Sequence, residues 1–248
     1  MLKNNKFFKN KKIIVKSLLN IILMKYKLGY SIIANNLLKV TDTIEKLNFV
    51  DFLHVDIMDG NFVDELTIGP QYVHNLIELI SEKNLIKQYL DVHLMVNNPI
   101  NYIDKLPNVN SIIFQVENLN NYQILEIINS IKAKNSKCGI SISPNTSIDN
   151  LINYLNLIDI VQIMTVEPGK CGQKLIKSTL TKIYNIRNIN SQIIIQVDGG
   201  INKNNIIELL NMGANSFICG SSMMKDGLEM KSILDKYFIE YINDKKAC

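Results

Sequence analysis

Arginine, cysteine and early acidic residues are scarce in this sequence, and each shortage narrows the field. Arg187 is the only arginine in 248 residues, while Ile, Asn and Lys abound. That skew resembles the coding bias of an AT-rich genome and serves as background. The four cysteines, Cys138, Cys171, Cys219 and Cys248, have neither CxxC spacing nor the density of a disulfide framework. Free thiols in a reducing compartment are therefore expected. No acidic residue precedes Asp42, although lysines recur from Lys3 to Lys39. The net charge of +4 and the pI near 8.7 arise in that segment. Beyond it the balance is mildly acidic, which argues against a nucleic-acid or membrane-binding surface.

Long apolar runs are missing too. KKIIVKSLLNIILMKYK (11–27) has about a dozen apolar residues broken by Lys16, short of the roughly 20 that span a bilayer. The segment is basic, amphipathic and free of acid, as organelle transit peptides are, but poor in Arg and Ser and without a small-x-small cleavage site. A start codon placed too early, with Met24 as the true beginning, stands beside the leader reading, and a native extra helix is a third. Residues 1–27 are thus expected to be an appendage to a catalytic domain over 28–248. A cytoplasmic location is expected, or an organelle if residues 1–23 are a transit peptide.

Apolar residues at 47% and charged residues at 20% describe a globular chain long enough for a substantial core. From residue 28 onward a rhythm repeats. β-rich runs occur at 30–34, 52–57, 89–95, 111–116, 138–143, 159–166, 192–198 and 215–220, with helically spaced stretches between them. A last helix is expected near 227–243. Nothing resembles an interdomain linker. Eight βα units with strands apolar on both faces predict a closed (β/α)8 barrel, a TIM barrel, rather than an open doubly wound sheet.

In such a barrel, chemistry gathers at the C-terminal ends of the strands. The run DFLHVDIMDG (51–60) makes the case: Leu53, Val55 and Ile57 suit burial, yet His54 and Asp56 interrupt them on one shared face. Asp91 and His93 repeat the pattern in the next strand. A buried charge is costly unless paired, metal-bound or placed at the mouth. Two imidazoles with strand-end carboxylates suit Zn²⁺ or Fe²⁺, although a single such His is more often a hydrogen-bonded core residue. His74, on a helical stretch, reads as a surface histidine.

Glycines follow the last strands. VDGGI (197–201) runs from Asp198 into Gly199 and Gly200, and ICGSSM (218–223) supplies Gly220 and Ser221. Successive loops of this kind free backbone amides for a phosphate. EPGKCGQ (167–173), with Gly169, Lys170, Cys171 and Gly172, reads as a mobile flap over a site. Plain turn chemistry is the competing reading of each motif. Met58, Met95 and Met164 lie near strand ends, where single methionines are usually core filler.

HVDIMDGNFV, LTIGP, DVHLMV, SPNT, MTVEPG-x-x-GQ, QVDGGI and GSSM occur in the order seen in ribulose-phosphate 3-epimerases, and from about Tyr30 to Met224 the chain resembles that family. The resemblance implies a barrel enzyme of the pentose phosphate pathway that interconverts D-ribulose 5-phosphate and D-xylulose 5-phosphate, a sugar-phosphate substrate, with one divalent metal ion per subunit. It implies His54, Asp56, His93 and Asp198 as ligands of Zn²⁺ or Fe²⁺, with Mn²⁺ or Co²⁺ as alternatives. Asp56 and Asp198 match the acid/base pair, and Asp59 and Asp91 then become structural or supporting groups. Ser31, His93, Met58, Met95 and Met164 match substrate-pocket positions. The phosphate is expected on Gly169, Lys170, Cys171, Gly172, Gly199, Gly200, Gly220 and Ser221. A homo-oligomer is expected by analogy.

The chain departs from the family pattern at Lys170 and Cys171, where PGFGGQ is usual, and at Asp64 and Glu65, where FVPN is usual. Gln115 stands in place of a His near Glu117, and Asn36 in place of an Asp. An epimerase of a related ketose phosphate, such as a hexulose 6-phosphate, is the alternative activity. A non-catalytic barrel binding a sugar phosphate or a protein partner is the alternative class. No DxKxxD run occurs and no lysine ends a strand in a Schiff-base position, which disfavours decarboxylases and aldolases.

Overall fold

The structure is a computed structural model that describes residues 26–34, 36–84 and 89–247. Of the appendage expected over 1–27, residues 1–25 lie outside the described residues, as does Cys248, while Lys27 already belongs to the first strand. The strands are β1 (Lys27–Ser31), β2 (Phe52–Met58), β3 (Tyr89–Met95), β4 (Ser111–Gln115), β5 (Lys137–Ile142), β6 (Ile160–Met164), β7 (Ile194–Asp198) and β8 (Ser216–Cys219). They pair in parallel in sequence order, and β8 returns to β1, so the barrel is closed. The helices are α1 (Val40–Lys46), α2 (Pro70–Glu82), α3 (Ile100–Ile103), α4 (Asn121–Ala133), α5 (Asp149–Ile152), α6 (Leu180–Ile189), α7 (Ile206–Met212) and α8 (Ser221–Ala247). One helix follows each strand, and no helix among the described residues is long and apolar enough to cross a membrane.

Local chemistry explains several boundaries. Asn120 and Gln123 exchange side-chain and backbone bonds in a capping box that starts α4. Pro70 opens α2, where its missing N–H costs nothing. β1 ends three residues earlier than expected because Ile32–Ala34 curls into a 3-10 turn. That shift leaves Ser31 as the last residue of the strand. The last helix begins earlier than expected, at Ser221, directly after β8.

The two faces of the strands differ more than the sequence rhythm suggests. The outward residues, such as Leu28, Tyr30, Val55, Val92, Phe114, Ile140, Ile163, Val197 and Phe217, join Val73, Leu76, Ile128, Ile183 and Leu209 of the helices in one buried core. The inward face is apolar at Phe52, Ile113, Ile160 and Ile218 but carries buried His54, Asp56, Asp91, His93, Ser111, Gln162, Gln196 and Ser216. The expectation of strands apolar on both faces therefore holds outside the barrel only. Inside, the bulky groups fit because Gly29 and Gly139 leave room. A Cβ at Gly29 would stand 2.2 Å from the Phe52 ring, and one at Gly139 2.6 Å from Ile113 Cγ1.

The single arginine has a structural post. Arg187 Nε donates to Gly213 O at 3.0 Å, and Nη1 donates to Ser191 O at 3.0 Å and Ile193 O at 2.9 Å. The guanidinium thus satisfies carbonyls from both the end of α7 and the turn into β7, tying two crossovers together.

Candidate active site at the mouth of the barrel

The site begins with register. β2 and β3 pair so that His54 lies beside Asp91 and Asp56 beside His93. Strand alternation turns all four inward. β1 sets Ser31 next to His54, and β6 sets Met164 next to Asp198. Parallel strands thereby deliver to one end residues that are scattered along the chain.

His54 stands at the centre of these contacts. Its Nε2 lies 3.2 Å from Asp56 Oδ1 and 3.7 Å from Asp198 Oδ2, and its Nδ1 lies 2.7 Å from Asp91 Oδ2. His93 Nδ1 is 3.1 Å from the same Asp56 Oδ1. Ser31 Oγ donates to Asp56 Oδ2 at 3.0 Å. Both imidazoles are fully buried, while the Asp198 side chain keeps 13% of its surface.

Burial and neighbouring charge set the ionisation of the group. Burial would lower the pKa of His54, but Asp56 and Asp91 reverse that effect and hold it well above the ordinary value. Burial would raise Asp56, but His54 and His93 pull it well below the usual carboxylate range. Burial, with the Asp56 charge beside it, pushes the Asp198 carboxyl up to about 7. Burial lowers His93. Two carboxylates of one site thus take opposite preferences.

His54, Asp56, His93 and Asp198 each offer a ligand atom within 4.8 Å of the others, so the cluster could hold one metal ion. The donor set fits a divalent cation of the Zn²⁺ or Fe²⁺ kind.

Above the cluster opens a cavity of about 200 Å³. Ser31, Asp56, Met58, Met95, Met164 and Asp198 form its floor and wall, and Gly169, Lys170, Cys171, Gly172, Gly199, Gly200, Gly220 and Ser221 complete it. Of the residues expected to bind substrate, only His93 is off the wall, behind Asp56. Val166, Ile201, Asn202 and Ser222 also line the cavity, beyond what the motifs indicate. Val166, Ile201 and Ser222 lie within the quoted motifs and Asn202 just beyond one, and none carries a charge or a glycine to mark it. Gln162 falls outside every motif and Gln196 opens QVDGGI without a role assigned to it, although alternation places each on the inward face two residues before Met164 and Asp198.

Comparison with known proteins gives the family. A sequence model described as the ribulose-phosphate 3 epimerase family matches residues 27–224. The chain belongs to the ribulose-phosphate 3-epimerase family, and it is an enzyme of that family. The rice cytoplasmic isoform of ribulose-phosphate 3-epimerase is 37% identical over 194 residues, 76% of this chain and 81% of that one. The Buchnera aphidicola ribulose-phosphate 3-epimerase is 33% identical over 234 residues, 90% of this chain and 99% of that one. Among solved structures, a mutant tryptophan synthase α-subunit of Pyrococcus furiosus superposes with a TM-score of 0.59 at 15% identity. The match covers 88% of this chain and 99% of that one, and the likeness concerns the fold alone.

Within this epimerase-family site, the departures have definite places. Lys170 Nζ lies 3.9 Å from Glu65 Oε1, joining two of them. Cys171 is not among the residues with positive φ, so the position it occupies does not demand glycine. Gln173 Nε2 ties the flap internally, donating to Glu167 O at 2.6 Å and Lys170 O at 2.9 Å. Gln115, with its amide nitrogen turned toward Glu117, donates to Glu117 Oε2 at 3.0 Å. Asn36 Oδ1 accepts from Leu38 N and caps a short turn. Asp59 accepts from the backbone of Asn61, Phe62 and Asn97, a loop-fastening role outside the cluster. His74 reaches Lys105 O from the side of α2, away from the mouth.

Proposed function

We propose that the chain interconverts D-ribulose 5-phosphate and D-xylulose 5-phosphate, with Asp56 and Asp198 transferring the protons. The observation that carries this reading is the placement of both carboxylates on one cavity wall, from β2 and β7, with β8 and β1 between them. Inverting a carbon next to a carbonyl requires removal of one proton and delivery of another to the opposite face. Two carboxylates approaching from different strands can serve the two faces, one ionised as base and one protonated as acid.

His54, Asp56, His93 and Asp198 would hold the divalent ion. When bound, it supplies Lewis-acid stabilisation of the negative charge that develops on the substrate oxygens. Ser31 donates to Asp56 Oδ2 and holds that carboxylate in place. Met58, Met95 and Met164, all nearly buried, keep water from the reacting carbon. Thr165 Oγ1 donates to Asp198 O and Gly199 O and so fixes the turn on which Asp198 ends. Gly199, Gly200, Gly220 and Ser221 would bind the phosphate through backbone amides. The N-terminus of the 27-residue helix α8 opens at Ser221 and adds its positive end. A homo-oligomer also belongs to this proposal, and sedimentation of the full chain tests it.

The deciding experiment is a metal-replete coupled assay on D-ribulose 5-phosphate, with chelator-treated enzyme beside it. Turnover that is lost on chelation and restored by Zn²⁺ or Fe²⁺ is expected. Full activity after chelation would remove the metal from the reading. Much faster turnover of a hexulose 6-phosphate would replace the substrate.

A further inference from the structure

His54 is held from behind as firmly as it is approached from the front. Asp91, 1% exposed, meets three hydrogen-bonding partners on its two oxygens. Ser111 Oγ donates to Oδ1. Gln196 Nε2 donates to Oδ2 at 2.7 Å, and His54 Nδ1 lies 2.7 Å from the same oxygen.

The Gln196 amide is not free to turn over. Its Oε1 accepts from Ser216 Oγ at 2.8 Å, and its Nε2 also donates to Gln162 Oε1 at 3.0 Å. Reversal would set an amide oxygen against a carboxylate oxygen and another amide oxygen. Asp91 Oδ2 therefore acts as an acceptor, and the proton between it and His54 belongs to Nδ1. The His54 nitrogen that remains is Nε2, the one directed at Asp56 and Asp198.

Space filling does not account for Asp91. A buried carboxylate carries a desolvation cost that an apolar side chain would not. Phe52, Ile113, Ile160 and Ile218 fill other inward positions of the same barrel with hydrocarbon.

The geometry points to Asp91 as a positioning residue: it fixes the tautomer and ring orientation of His54, so that Nε2 is presented to the site, while Ser111, Gln196 and Ser216 hold Asp91 in place. This deepens the metal reading proposed above and rests on it only for the consequence on affinity. A carboxylate behind a ligating imidazole also raises its basicity, and removing such a partner typically costs ten- to a hundredfold in metal affinity.

The test uses the full-length chain labelled with ¹⁵N-histidine and takes Zn²⁺ as the probe. Long-range ¹H–¹⁵N correlation should find a proton on His54 Nδ1 with and without Zn²⁺, and Nε2 metallated in the loaded form. Asp91→Asn should shift the Nδ1–H resonance and lower Zn²⁺ affinity, measured by competition with a chelator, by about tenfold to a hundredfold. A role in stability alone would move the melting temperature and leave affinity and tautomer as they were. A wild-type His54 with its only proton on Nε2 overturns the proposal, and so does Zn²⁺ affinity unchanged in Asp91→Asn. If that variant does not fold, the wild-type spectrum still decides. If the wild type binds no Zn²⁺ yet keeps the Nδ1 proton, the metal reading falls and the positioning role stands.

Discussion

Lys170 on the flap and Glu65 on the loop after β2 form an ion pair of 3.9 Å that joins two of the stretches expected to depart from the family pattern. The Lys170 side chain is 72% exposed, so solvent screens the pair and it adds little to stability. Lys170 also lines the cavity, where its charge is available to an anionic substrate. Lys170→Ala should leave the melting temperature unchanged and raise KM for the sugar phosphate several-fold, with a smaller effect at high salt. A lowered kcat at constant KM would assign Lys170 some other task.

Asp56→Asn and Asp198→Asn should each reduce kcat by about 10²–10⁴-fold, the usual weight of a positioned acid or base. Circular dichroism should show the barrel intact in both, since neither side chain belongs to the core between strands and helices. Near-normal turnover in either variant would sink the two-carboxylate mechanism.

Gly200 has φ of 66°, and a Cβ there would lie 2.4 Å from Leu175 N. An alanine must both adopt the left-handed region and push the flap's return segment away. Gly200→Ala should cost about 1–3 kcal/mol in urea unfolding and raise KM for the phosphorylated substrate. Wild-type values for both would mean that this turn does not hold the phosphate.

Arg187→Lys keeps the charge but loses the planar fork that serves Gly213, Ser191 and Ile193. The partly buried carbonyls of Gly213 and Ile193 left without a donor should cost about 1 kcal/mol, read as a lower urea midpoint. Because Arg187 is remote from the cavity lining, kcat and KM should not change. Unaltered stability would show that water replaces the guanidinium at no cost.

Much of this is legible without coordinates. The sequence places β3 residue for residue, because YLDVHLM is bounded clearly and alternates strictly. It misplaces β1 by three residues, since Ile32 and Ile33 continue the apolar run while the backbone turns away. The polar interior is the larger surprise. Ser111, Gln162 and Ser216 carry no motif, Gln196 only opens QVDGGI, and in a linear reading all four look like chance polar residues in buried strands.

The sequence by itself determined the eightfold βα rhythm, the inward sharing of His54 with Asp56 and of Asp91 with His93, and the glycine turns after the last strands. Those follow from local rules: side-chain alternation, turn stereochemistry and burial. Local pattern does not single out the carboxylate that partners Asp56, and the family resemblance implies Asp198. Tertiary structure decided how these groups meet. Barrel closure and strand register set Asp198 within 3.7 Å of His54, put Asp91 behind that imidazole, and gave the lone arginine its carbonyls. Register and closure depend on how all the strands pack at once, and no local stretch of chain encodes that alone.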